Sequence, residues 1–345
     1  MAQPEQPPLV VSGSEIDAFN RCPRNWLARW YYGFVPKNPA PTGARNFGTR
    51  WHTAWEYHYG HGLDAMAVLD LLYKAELEAC PDFEAALRKE WELAKIMAEG
   101  YLEWLAETGA DATLEVVAVE QDVTVELPGF GGTVLLRAKM DQVVRSHETG
   151  LLSFLDHKSV TDFERHELIE LDPQMRRYSL IQWLKAGQPA PLVGQPAMID
   201  PNIPLVNGGI VNSARKVKRT AKARPPYFDR HPFRYSHERM AATLAGVQQT
   251  VWKIQQARAQ LATAGAADDP MAAVNLVQLT TLAPVPITKD CSWRCDLSDG
   301  MCQFMDEGTA WMEAFVSGGK YVQGDPYDYY NGEATAALVA AASAG

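Results

Sequence analysis

Apolar residues recur at helical spacing through residues 14–31, "SEIDAFNRCPRNWLARWY", behind a serine placed to cap the first turn. The same spacing predicts helices over 45–60, 64–79 and 83–107. The period then changes. "TLEVVAVEQDVTVEL" (113–127), "TVLLRAKMDQVVR" (133–145) and "LLSFLDHK" (151–158) are rich in β-branched residues and separated by Gly-containing turns, which predicts three successive strands. "DPQMRRYSLIQWLKAG" (172–187) opens on Asp-Pro and closes on Gly, the punctuation of a helix. A strand over 208–217, a basic loop and a long helix over 236–263 follow. Successive strands, a helix and a returning strand imply an α/β fold, a mixed sheet with helices on its faces. The expected organisation is a disordered stretch 1–11, a helical region 12–112, a core 113–265, a cysteine-bearing region 266–320 and a tail 321–345.

With 345 residues, 47% of them hydrophobic, the chain can bury a large core. No run approaches the ~18 apolar residues that span a bilayer. The opening "MAQPEQPPLV" lacks a basic segment leading into an apolar one, so no signal peptide is expected and the default compartment is the cytoplasm. A formal charge of −10 gives no global sign of nucleic-acid binding. Residues 207–240 depart from that average, with nine Lys or Arg against Asp229 and Glu238, a local +7. Within it, Arg215, Lys216, Lys218, Arg219, Lys222 and Arg224 suit a polyanion, although such runs are commonly solvated faces.

The apolar run 151–158 ends in Asp156, His157 and Lys158. Strand alternation places Phe154, Asp156 and Lys158 on one face and Leu155 and His157 on the other. Asp141 lies near the end of the preceding strand; if the 146–150 turn makes the strands neighbours, the two carboxylates converge. Two carboxylates with water or substrate oxygens suit Mg²⁺ or Mn²⁺. A nearby lysine can orient a water or stabilise charge developing on a phosphate. The plainer reading of Asp-x-Lys is a strand-end ion pair.

Asp141, then Asp156-x-Lys158, then a helix with Gln174 and Tyr178 four apart resembles the PD-(D/E)XK nuclease superfamily, in its RecB-like branch. The pattern stands here as "AKMDQVV", "LDHKS" and "QMRRYSL", with Ala138 where that branch usually has Gly. The resemblance implies a restriction-endonuclease-like core in which Gln174 and Tyr178 flank the metal centre and the DNA. It also implies a metal-ligating histidine in an upstream helix. "FGTRWHTAWEYHY" supplies His52, with His58 and His61 nearby. Glu120 in "VVAVEQDV" matches an acidic position of the first strand, where it would orient its neighbours.

Five cysteines are present, Cys22, Cys80, Cys291, Cys295 and Cys302. Three fall in "DCSWRCDLSDGMC", a bunching suited to an iron–sulfur cluster or zinc, either of which needs a fourth ligand. "NRCPRNW" offers Cys22. The iron–sulfur members of the RecB-like branch (AddB-type helicase–nucleases and CRISPR-adaptation nucleases) carry one cysteine before the nuclease core and three after it. That resemblance implies a [4Fe–4S] cluster on Cys22, Cys291, Cys295 and Cys302, stapling distant parts of the chain. The C-terminal spacings, three and six intervening residues, depart from the branch's usual two and five and leave the cluster type open. A zinc site on the same thiols is the competing reading, and Cys80 is left over.

The implied activity is a metal-dependent DNA exonuclease acting on single-stranded ends in recombination, repair, replication or phage DNA processing. His52, Asp141 and Asp156, with the His157 carbonyl, would hold Mg²⁺ or Mn²⁺, and Lys158 would position the attacking water. Two alternatives stay open: a non-catalytic DNA-binding recombination partner with a vestigial site, and a zinc-stapled nuclease acting on RNA. The chain carries no Walker-type loop, so unwinding would fall to a helicase or recombination partner.

Overall fold

The computed structural model describes residues 7–203, 206, 208–265, 316 and 319–325. In chain order its elements are β1 (Leu9–Ser12), α1 (Gly13–Arg21), α2 (Pro23–Trp26), β2 (Phe34–Pro36), α3 (Ala44–His61), α4 (Ala65–Ala79), α5 (Glu84–Thr108), β3 (Leu114–Glu126), β4 (Val134–Ser146), β5 (Leu152–Val160), α6 (His166–Ile169), α7 (Pro173–Lys185), β6 (Gly208–Arg215), β7 (Phe228–Arg234), α8 (His237–Thr263) and β8 (Tyr321–Gln323). The long helices and the first three predicted strands lie within a few residues of their expected positions. Residues 9–11, expected to be disordered, are in β1. The predicted helix over 14–31 breaks at Cys22, whose backbone is extended, because Pro23 lacks the N–H that a continuing helix needs. Pro23 instead opens α2, and a π-helical turn over Leu27–Tyr31 follows. Cys291, Cys295 and Cys302 lie outside the described residues.

Two compact units divide the described residues: 7–39, 127–136, 245–265 and 319–325 belong to one, and 40–126, 137–203 and 208–244 to the other. In the first, α1 and α2 pack around the fully buried Glu15. Its carboxylate accepts the Trp26 indole N–H at 2.9 Å and the Arg258 guanidinium at 3.0 Å, so the buried charge is paired. β2 pairs antiparallel with β8, Phe34 opposite Gln323. Gly33 serves that pairing: its φ is +71°, and a Cβ there would meet the Gly324 carbonyl oxygen at 2.5 Å.

In the second unit β4, β5, β6 and β7 are sheet neighbours in that order, and β3 also pairs with β4. β4 and β5 are antiparallel, with Val143 opposite Phe154, so the 146–150 turn does make them neighbours. β5 and β6 are parallel, Asp156 beside Val211, and α6 and α7 form the crossover between them. β7 closes the edge antiparallel to β6. On one face α3, α4 and α5 pack a core that includes Trp51, Trp55, Val68, Met97 and Tyr101. On the other, Tyr178 of α7 meets the Phe154 ring edge-on at 5.4 Å. Phe154 reaches across β6 because residue 209 is glycine; a Cβ there would stand 2.4 Å from the ring. Among the described residues no helix is long and apolar enough to cross a membrane.

Candidate metal centre

The centre forms where β4 and β5 run side by side and His52 of α3 reaches Asp141. The His157 backbone N–H donates to Asp141 Oδ2 at 2.7 Å, and His52 Nδ1 meets the same oxygen at 2.9 Å. Glu120 enters from β3 through a positive φ of 47°, a left-handed conformation that a non-glycine side chain adopts only when its surroundings hold it. Ligand atoms of His52, Glu120 and Asp141 all lie within 4.8 Å of one another. Lys139 Nζ caps Glu120 at 2.6 Å.

Asp156 falls outside that triplet but borders it through its charge. Its buried carboxylate pairs through Oδ2 with Lys158 Nζ at 2.9 Å. Lys158 donates to Gln174 Oε1 at 2.7 Å, Gln174 Nε2 donates to the Tyr178 hydroxyl at 2.8 Å, and that hydroxyl donates to the Lys139 carbonyl at 2.8 Å. Helical spacing puts Gln174 and Tyr178 one turn apart on the same face of α7, which makes the relay continuous. Asp172 starts the helix by accepting the Gln174 N–H at 2.7 Å.

Burial drives the electrostatics, and local charges decide its sign. Burial raises the Asp156 carboxyl to about 6, against the Lys158 ammonium and with the Asp141 charge. Burial raises Glu120 to about 7, assisted by Asp141 and opposed by Lys139. For Asp141 burial also works upward, but the charge and hydrogen bond of His52, helped by Lys158, outweigh it and hold the group at about 2. His52 and Lys158 are raised although burial opposes their charged forms, because Asp141 and Asp156 respectively dominate. The centre is therefore a cluster of acids set beside His52 and the Lys158 ammonium. Glu56, one turn along α3 from His52, is a further acid that burial raises.

The His157 ring lies on the opposite face of β5, fully buried and stacked with Trp55 (6.1 Å) and Tyr59 (5.8 Å). Asn212 Oδ1 accepts from Arg230 Nε at 3.2 Å, which turns the Asn212 amide nitrogen toward Tyr101 and His157 Nδ1. Nδ1 thus accepts from Asn212, and Nε2 lies 3.0 Å from the Gln142 amide nitrogen. Burial pushes this imidazole down to about 3. Its side chain pins α3 to β5, and only its backbone addresses the centre.

Two cations of the basic segment pair with α5. Lys218 pairs with Glu92 at 3.2 Å. Arg219 pairs with Glu103 and approaches Glu99 at 3.9 Å. It lies across Gly100, where a Cβ would stand 2.8 Å from the guanidinium. Lys216 stands over the Phe47 ring, and Arg215 donates to the Arg224 and Pro226 carbonyls. Lys222 and Arg224 are exposed and make no ion pair among the described residues.

Sequence reasoning brought His52, Asp141, Asp156, Lys158, Gln174 and Tyr178 to one place. It gave Glu120 an orienting part, whereas the geometry sets its carboxylate beside His52 and Asp141, and it passed over Lys139 and Glu56. The signal for Lys139 was its alternation with Asp141 on β4, which puts both on one face. Cys22 is a half-buried thiol at the junction of α1 and α2, in the other unit. The sequence profile of the PD-(D/E)XK nuclease superfamily matches residues 10–271. No curated protein matches the chain.

Proposed function

Because the chain belongs to the PD-(D/E)XK nuclease superfamily, we propose that it is a divalent-metal-dependent deoxyribonuclease that trims single-stranded DNA from free ends. The observation that carries this reading is the convergence of His52, Glu120 and Asp141 beside the Asp156–Lys158 pair. One imidazole nitrogen and several carboxylate oxygens form a donor set that suits Mn²⁺ or Mg²⁺. The buried Asp156 carboxylate, held by Lys158 at 2.9 Å, adds oxygen donors beside that set. His52, Glu120, Asp141, Asp156 and the His157 carbonyl would hold the metal. Bound there, a divalent ion neutralises phosphate charge and lowers the pKa of a water.

Lys158 stays charged beside Asp156 and is aimed by Gln174, so it orients the attacking water and stabilises charge growing on the phosphate. Tyr178 fixes Gln174 by anchoring it to the β4 backbone. Lys222 and Arg224 track the DNA backbone, while Arg215, Lys216, Lys218 and Arg219 hold the loop that presents them. A helicase or recombination partner that supplies single strands fits this reading.

Cys22, Cys291, Cys295 and Cys302 are assigned to one [4Fe–4S] cluster with a structural role. β2 begins twelve residues after Cys22 and β8 nineteen residues after Cys302, and these strands pair, which favours a staple between those chain segments. Anaerobic purification should yield brown protein containing iron; colourless protein containing zinc assigns the thiols to that ion instead. The activity is tested on end-labelled linear and circular single strands with Mn²⁺. Progressive shortening of the linear strand, stopped by EDTA, with circles intact, is expected. Cut circles overturn the exonuclease reading, and no cleavage of either overturns the nuclease reading.

A further inference from the structure

His166 lies away from the metal centre, beyond β6. The strand register sets Asp156 beside Val211 and Val211 beside His231, and Lys158 beside Ser213 and Ser213 beside Asp229. Residues paired across strands share a face. His231 and Asp229 therefore project from the same face as Asp156 and Lys158, two strand spacings or ~10 Å away.

From α6, His166 lies flat against His231, with ring centroids 4.0 Å apart and planes 21° apart. Its Nε2 meets Asp229 Oδ2 at 2.9 Å. His231 is backed by Phe233, and Phe233 by Phe154. One face of the His166 ring is thus covered, its edge is held by a carboxylate, and the side chain remains 52% exposed. An exposed ring already fixed in this way loses little freedom when something settles on it.

The neighbouring charges select the occupant. Asp229 binds His166, and Glu170 Oε1 lies 3.6 Å from His231 Nε2. Arg239 meets the other Glu170 oxygen at 3.5 Å, so these charges leave no cation spare for a phosphate, whereas a flat, uncharged base can stack on an aromatic face regardless of sequence. We propose that His166 is the stacking platform for an unpaired nucleobase of the strand whose backbone reaches Lys158. This rests on the nuclease reading above and adds to it an interaction that favours single strands.

The test is fluorescence anisotropy with labelled single-stranded DNA in EDTA, comparing wild type, His166→Ala and His166→Phe. His166→Ala should bind about tenfold more weakly, the scale of one base–aromatic stack. His166→Phe should bind like wild type. Moving a single abasic site along the oligonucleotide should reveal one position at which wild type and His166→Ala bind equally. A His166→Phe variant as weak as His166→Ala overturns the platform, as does a penalty that persists at every abasic position. Cleavage by wild type once Mn²⁺ is added is scored separately. Its absence overturns the nuclease reading, whereas the binding comparison judges the platform.

Discussion

The backbone of His157 holds the carboxylate of Asp141: the amide N–H donates to Oδ2 at 2.7 Å across the β4–β5 pair. A charged oxygen that accepts a main-chain donor is placed by the strand rather than by its own rotamer. The same oxygen meets His52, so α3 is registered against the sheet at this atom. The imidazole of His157, gripped by Trp55, Tyr59 and Asn212 on the other face, fixes that register from behind.

Glu120 is expected to matter more for holding metal than for the fold. Glu120→Gln keeps the shape and removes the charge. Mn²⁺ binding by calorimetry should weaken about tenfold or more, the range seen when groups supporting a metal site are altered. Thermal stability without metal should hold or rise, because burial already opposes this charge. Unchanged Mn²⁺ affinity would remove Glu120 from the centre.

Acid should destabilise the metal-free fold partly through His157. Its folded pKa, about 3, lies below the ordinary 6.5, so between those values the unfolded chain binds a proton that the folded chain refuses. Stability from this group is complete above pH 6.5 and falls as pH drops toward 3, by at most about 1.4 kcal/mol per pH unit. Urea midpoints at pH 7.5 and 5.0 should differ less in His157→Gln than in wild type. An identical difference would mean that His157 titrates normally in the fold.

The basic segment should separate into two behaviours. Lys222→Glu with Arg224→Glu should flatten the salt dependence of single-strand binding, by ~0.7 in log–log slope for each phosphate that is no longer neutralised. Lys218→Ala with Arg219→Ala should lower stability only slightly, because solvent screens these exposed pairs. If the second pair changes the salt slope as much as the first, the ion pairs with α5 open on DNA binding.

Much of this centre was legible because its parts follow short periods. Asp156 and Lys158 are two apart on a strand, Gln174 and Tyr178 four apart on a helix, and both relations survive any tertiary detail. β7 was not legible: "FDRHPFR" mixes charged and aromatic residues on both faces and carries Pro232, which an edge strand tolerates. Glu120 depends on a left-handed backbone that no periodicity announces. The basic run read as a DNA surface because its partners Glu92 and Glu103 lie 126 and 116 residues away.

The most direct test of the account is single-turnover cleavage of end-labelled single-stranded DNA in Mn²⁺ by wild type and Lys158→Ala. Removing this lysine leaves Asp156, already at about 6, free to protonate rather than remain a bare buried charge, so the fold should persist. The account predicts a rate at least ~100-fold lower, the scale of losing a positioned proton-handling group, with DNA affinity and circular dichroism unchanged. Cleavage by Lys158→Ala at the wild-type rate would contradict it.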